Sequence, residues 1–185
     1  MKGKTRSIYL SFDDGPDPDI TPFVLDELAK YDAKATFFCI GKNRMLHPEL
    51  YDRIISEGHA VGNHSFDHLD GWKTNDAVYV DNVMKAKQHI DSDLFRPPYG
   101  KMTRIQQKHL SKQGFKTIMW SVLSGDFDED ISSEQCCSNV IQNATGGAII
   151  VFHDSKKAKE KMSYSLPLVL KYLAEKGYRL EKIVL

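Results

Sequence analysis

The sequence predicts an α/β protein built on about seven parallel strands, and three observations carry that reading. Short apolar or β-branched runs alternate strictly with segments of helical apolar spacing. Gly58, Gly114 and Gly177 each fall just past a helical segment, where a left-handed C-cap residue is wanted. The chain has 185 residues, 41% of them hydrophobic, which suffices for one core but falls short of the roughly 200–250 residues of a full eight-fold (β/α) barrel. Two architectures fit: an open doubly wound sheet, or a barrel that is incomplete or distorted. In both, functional groups collect at the C-terminal ends of the strands.

Strands are expected at Ser7–Phe12, Ala35–Ile40, His59–Gly62, Leu94–Arg96, Lys116–Ser121, Ala148–Phe152 and Arg179–Val184. Helices are expected between them at Thr21–Tyr31, Pro48–Glu57, Ala77–Ile90, Thr103–Gln113, Ser133–Gln142 and Ser163–Glu175. In the first of these, Phe23, Leu25, Leu28 and Ala29 make one face. Strict alternation implies parallel strands joined by right-handed crossovers. Linkers, low-complexity runs and internal repeats are absent from the sequence, so one domain over residues 1–185 is expected.

Lys and Arg total 25 and Asp and Glu total 25, and this balance argues against a nucleic-acid surface or a polybasic membrane tether. The longest apolar run, Ala148 to Phe152, is far short of a transmembrane segment. Met1-Lys2-Gly3-Lys4-Thr5-Arg6 is basic but leads into a strand pattern without a signal-peptide apolar core. The compartment stays open between the cytoplasm and the cell envelope, and the oligomeric state is not encoded in any visible pattern. Cys39, Cys136 and Cys137 have no Cys-x-x-Cys partner and read as reduced structural thiols.

The chemistry lies at the strand ends. Ser11-Phe12-Asp13-Asp14-Gly15-Pro16 follows the first strand, and a turn is needed there because neighbours on a strand point opposite ways. His64-Ser65-Phe66-Asp67-His68 follows the third; histidines at i and i+4 are expected on one face of a helical turn, the spacing that grips one metal ion. Asn63 and Ser65 could orient the rings. Arg96-Pro97-Pro98-Tyr99-Gly100 follows the fourth strand, placing a guanidinium where it could clamp a carboxylate. The fifth leads to Asp126-Phe127, and the sixth ends at His153. Each motif alone has a plainer explanation as a solvated turn or a satisfied core side chain. Five strand ends carrying Asp, His, Arg, Asp and His do not. His47, His59, His89 and His109 lack such placement and read as structural or exposed.

Taken together, these segments resemble the five ordered motifs of the polysaccharide deacetylase family, the NodB-homology group or carbohydrate esterase family 4. The resemblance runs from Ile8 to His153; its first three motifs are highly specific and the last two looser. It implies a distorted, incomplete (β/α) barrel forming a single catalytic domain. It also implies that Asp14, His64 and His68 bind one divalent metal, usually zinc and sometimes cobalt or nickel. Asp13 would be the general base and His153 the general acid, with Arg96 paired to Asp13 and Asp126 orienting and tuning His153. Tyr99 would offer its backbone N–H to the oxyanion and its ring to the groove wall, alongside Pro97, Phe127 and Val151 on the substrate side. Two departures bear on specificity. Leu123-Ser124-Gly125-Asp126-Phe127 stands where the family commonly has Asp-x-x-Asp-Trp, and Val151 replaces the Leu of Leu-x-His.

That division of labour suits amide hydrolysis, which needs an activated water, a polarised carbonyl and a proton for the departing amine. The expected function is therefore a metal-dependent N-deacetylase acting on N-acetylated amino sugars in a polysaccharide or oligosaccharide. O-acetyl esterase or another amide hydrolase on the same metal site is the alternative, told apart by whether acetate appears with or without a new amine. A non-catalytic carbohydrate-binding barrel would show loss of Asp13, a metal ligand or His153, and all are present.

Overall fold

The structure, a computed structural model, describes residues 6–184. The basic N-terminal stretch read above lies, over residues 1–5, outside the described residues. The elements run β1 (Ser7–Asp13), α1 (Thr21–Ala29), β2 (Ala35–Cys39), α2 (Gly41–Leu46), α3 (Pro48–Ser56), β3 (Ala60–Asn63), α4 (Asp76–Lys87), β4 (Leu94–Phe95), α5 (Arg104–Lys112), β5 (Lys116–Thr117), β6 (Val122–Leu123), α6 (Ser133–Asn143), β7 (Ile149–His153), α7 (Lys159–Glu175) and β8 (Arg179–Leu180).

Seven strands pair side by side in the order β5-β4-β3-β2-β1-β7-β6, and β8 pairs with Ser7 and Ile8 of β1. All of these ladders are parallel. The edge strands β5 and β6 are consecutive in sequence. The steps from Thr117 to Val122 reach at most ~18 Å, whereas the edges of a flat seven-stranded sheet would stand ~29 Å apart. The sheet is therefore curled into a distorted, incomplete barrel, the fold implied by the resemblance.

This curl explains the largest departure from the expected strands. Lys116–Ser121 is not a single strand. Lys116 and Thr117 pair with β4, while the Ser121 N–H donates to the Ile149 carbonyl at the other edge of the sheet. A continuous strand could not serve both edges, so the chain breaks where it crosses between them. The last strand is also shorter than expected, ending at Leu180.

Period-two alternation sorts the side chains between two environments. Ile8, Leu10 and Phe12 of β1, Phe37 of β2 and Ile150 and Phe152 of β7 pack against Leu25 and Leu28 of α1 and Leu166 and Leu170 of α7 in one buried cluster. Phe12 stacks between Phe37 and Phe152 at centroid separations of 5.1 and 6.1 Å. The alternate residues Ser11, Asp13, Phe38, Val151 and His153 belong to the opposite face of the sheet. The helix-facing residues make the core; the others are free to build a site.

The helices begin at side-chain caps where the sequence supplies them. Thr103 and Gln106 form a reciprocal capping box on α5, Ser132 caps α6, and Asn75 caps α4. The three C-cap glycines adopt the expected left-handed conformation, with φ of 86°, 90° and 72°. Two helical features were not expected. The short α2 directly follows β2, and α7 starts at Lys159 rather than Ser163 because buried Ala158 and Met162 extend its apolar face upstream. Cys39, Cys136 and Cys137 are free and buried. Among the described residues no helix is long and apolar enough to cross a membrane.

Candidate active site and its family

The register of the sheet assembles the site. Asp13, the last residue of β1, is aligned with Phe38 of β2 on one side and with His153 of β7 on the other. Asp14 leaves the strand at φ 83°, a left-handed step that turns its carboxylate into the same cleft as that of Asp13.

His64 and His68 also meet there, but not on a helical turn. The segment after β3 is a loop whose Ser65 and His68 have φ of 64° and 58°. Side chains hold this shape. Asn63 Oδ1 accepts from the Ser65 N–H, Ser65 Oγ accepts from the His68 N–H, and Asn82 Oδ1 accepts from both Phe66 and Asp67 N–H. The i, i+4 spacing singled out two histidines that the structure brings together, on a loop rather than on a helical turn. Asn82, far away on α4, carried no sequence signal.

The three candidate ligand atoms lie within 4.8 Å of one another. Asp14 Oδ1 is 3.5 Å from His64 Nε2 and 3.2 Å from His68 Nε2. His64 Nδ1 lies 2.8 Å from the Arg96 carbonyl, which only accepts, so the proton sits on Nδ1 and the Nε2 lone pair faces the carboxylate. Asp14 Oδ1 is shielded from solvent and, among the described residues, has no hydrogen-bond partner. A buried carboxylate oxygen facing the His64 lone pair, with His68 Nε2 beside it, calls for a cation between them, and two imidazoles with one carboxylate form a donor set suited to a divalent transition metal.

Arg96 is the largest fully buried side chain. Its Nη1 donates to Asp13 Oδ1 at 2.6 Å and to Ser11 Oγ at 2.8 Å, and its Nε donates to the Ile118 carbonyl at 3.1 Å. The guanidinium also lies over the Phe38 ring, 4.0 Å from its centroid. It thus ties β1 to the crossing segment and commits one oxygen of Asp13.

On the other wall, Asp126 is fully buried and grips His153 twice. Its Oδ1 lies 2.8 Å from His153 Nδ1 and its Oδ2 accepts from the His153 backbone N–H at 2.7 Å. Burial alone would lower the His153 pKa. The charge and hydrogen bond of Asp126, helped by Asp13 and Asp14, outweigh it and raise the value from 6.5 to about 9. Phe127 packs edge-on against this imidazole at 5.0 Å.

These groups open on a cleft of about 410 Å³ whose remaining walls include Tyr99, Trp120, Leu123, Phe127, Val151 and Lys157. Tyr99 is 60% exposed with φ 59°, and its ring packs edge-on against His68 at 4.6 Å. Pro97 differs from its expected position on the substrate side: it is buried and does not line the cleft. Its carbonyl accepts from the Gly100 N–H, so it shapes the turn that presents Tyr99. Trp120 and Lys157 were not singled out from the sequence; Trp120 reaches the cleft only because its segment crosses the gap in the barrel.

The sequence model of the polysaccharide deacetylase family matches residues 1–118, more than half of the chain. The chain belongs to this family, the NodB-homology or carbohydrate esterase family 4 group. It is 33% identical over 179 residues to a peptidoglycan-N-acetylglucosamine deacetylase of Bacillus cereus, covering 93% of this chain and 65% of that protein. It is 37% identical over 166 residues to a chitooligosaccharide deacetylase of Bradyrhizobium sp., covering 86% of this chain and 75% of the relative. A solved peptidoglycan N-acetylglucosamine deacetylase, in complex with 4-naphthalen-1-yl-N-oxidanyl-benzamide, superposes with a TM-score of 0.91 at 31% identity, over 97% of this chain and 86% of that one.

Proposed function

We propose that the chain removes N-acetyl groups from N-acetylglucosamine-type amino sugars in a polysaccharide or oligosaccharide, releasing acetate and leaving a free amine. The observation that carries this reading is a single cleft in which an Arg96-paired carboxylate and an Asp126-paired imidazole flank the Asp14, His64 and His68 group. The names of the relatives favour the same substrate class.

Asp14, His64 and His68 would hold one divalent cation, zinc first by donor type, with cobalt or nickel also compatible. Such an ion supplies Lewis acidity toward the amide carbonyl. The protein's own groups divide the proton transfers. Arg96 engages Asp13 Oδ1, which leaves Oδ2 to take the proton of the attacking water. His153, sharing its Nδ1 proton with Asp126, carries the acid proton on Nε2 and delivers it to the departing nitrogen. The Tyr99 backbone N–H donates to the developing oxyanion. Val151 offers an apolar surface to the acetyl methyl, and the Tyr99 and Phe127 rings wall the sugar.

The test is acetate and primary-amine release from N-acetylglucosamine oligomers and peptidoglycan fragments, with zinc, cobalt or nickel restored after chelation. Equal yields of acetate and amine are expected. Acetate without amine would replace this reading with that of an O-acetyl esterase.

A further inference from the structure

One peptide group in the site is held at both ends by side chains that never reach the cleft. It joins Asp14 to Gly15. Its carbonyl accepts from Asn43 Nδ2 at 2.7 Å, and its N–H donates to Asp154 Oδ1 at 3.0 Å. Asn43 belongs to α2, and Asp154 directly follows β7. We propose that Asn43 and Asp154 are positioning residues which lock the Asp14–Gly15 peptide and thereby fix the aim of the Asp14 carboxylate.

The geometry requires such a lock. Asp14 adopts φ 83°, a conformation that residues with a Cβ enter at a cost and leave when nothing holds them. In an ordinary strand continuation its carboxylate would point away from that of Asp13, out of reach of His64 and His68. Orienting the following peptide plane sets ψ of Asp14 and φ of Gly15 together, so a grip on both of its polar atoms holds the whole turn.

Asp154 is built for this grip. It is 1% exposed and, among the described residues, has no cationic partner. Its Oδ2 accepts from Thr21 Oγ at 2.6 Å, the same hydroxyl accepts from the Asp17 N–H, and the Asp154 N–H donates to the Asp13 carbonyl. The carboxylate thus ties together residues 13 to 21. It lies so close to the backbone that a Cβ on Gly15 would fall 2.0 Å from Oδ2, and only glycine fits.

Asn43 links this turn to the other ligand loop. In the same short helix, the Gly41 and Lys42 N–H groups donate to the Ser65 and Phe66 carbonyls. The segment after β2 therefore brackets both loops that carry the candidate ligands. A Cβ on Gly41 would meet the Phe66 ring at 2.8 Å, so the contact is as close as backbone allows.

This inference rests on the reading that Asp14, His64 and His68 hold a divalent cation. It is tested by titrating the metal-free full chain with Zn²⁺ against a chromophoric chelator, with folding checked by circular dichroism. Asn43→Ala and Asp154→Asn are each expected to weaken Zn²⁺ binding by roughly 10- to 100-fold, the usual scale for residues that orient a ligand. Because both act on one peptide group, the double variant should fall well short of the product of the single effects. Thr21→Ser should bind like the parent and Thr21→Val more weakly. A merely structural role would lower the melting temperature of the metal-free protein and leave zinc affinity within about twofold of the parent, and that result in folded Asn43→Ala would overturn the proposal even if Asp154→Asn does not fold. A parent chain that binds no zinc would overturn the metal reading itself.

Discussion

Asp13 and His153 are register partners across β1 and β7, yet each is committed to a different charge: Asp13 to Arg96 at 2.6 Å and His153 to Asp126 at 2.8 Å. Neighbouring strand ends thus place a carboxylate and an imidazole on one cleft without letting them neutralise one another. Three expected outcomes rest on this separation and the groups around it, and a fourth on a histidine outside the site.

The acid side should be visible in the pH dependence of the rate. A His153 pKa raised to about 9 keeps the imidazole protonated at neutral pH, and the proton is lost as pH rises through that value. Rate against pH should be bell-shaped, with His153 setting the alkaline limb. Asp126→Asn removes the main raising charge but leaves the burial, so the limb should move to lower pH with metal content unchanged. An unmoved limb would reduce Asp126 to a structural carboxylate.

The neighbouring carboxylates should separate by metal content. Asp13→Asn should keep the metal and lose activity by roughly 10²–10⁴-fold, the scale of a lost general base. His64→Ala and His68→Ala should lose metal and activity together. Metal analysis of the purified variants decides; full occupancy in both histidine variants would sink the assignment.

The Arg96–Asp13 pair should contribute to stability through its partner's burial. Arg96→Met leaves Asp13, 2% exposed, without its counter-charge, and a loss of about 3–5 kcal/mol is expected. Adding Asp13→Asn removes the stranded charge and should restore much of the loss. Denaturant unfolding of the single and double variants measures both, and an additive double variant would contradict this account.

His59, away from the site, should make the fold acid-sensitive. It is 6% exposed and its Nδ1 accepts from the Ala35 N–H, a bond that protonation at that nitrogen would break. Burial, reinforced by Lys34, lowers its pKa from 6.5 to about 4. Above pH ~6.5 the ring is neutral in both folded and unfolded chains and the stability is complete. As pH falls toward 4 the unfolded chain takes up the proton first, and up to about 3 kcal/mol is lost. His59→Gln should flatten this slope in unfolding experiments between pH 7 and 4. A slope identical to the parent's would show that another group carries the acid response.

The sequence by itself determined the strand ends and what they carry. Alternation in Ile8-Tyr9-Leu10-Ser11-Phe12-Asp13 is local, so it already assigns three residues to the core and leaves Ser11 and Asp13 for the other face. The same holds for Phe152 and His153. Tertiary structure alone decided the rest. The left-handed steps at Asp14, Ser65 and His68 are held from other elements by Asn43, Asp154 and Asn82, in addition to the local bond of Asn63 to Ser65. That is why His64 and His68 were expected on a helical turn and meet on a loop instead. The break in Lys116–Ser121 and the arrival of Trp120 in the cleft depend on curling the sheet until its edges approach, a property of the whole sheet and of no single segment. Residue type and period set which side chains are available at each strand end; register and long-range hydrogen bonds set where their atoms point.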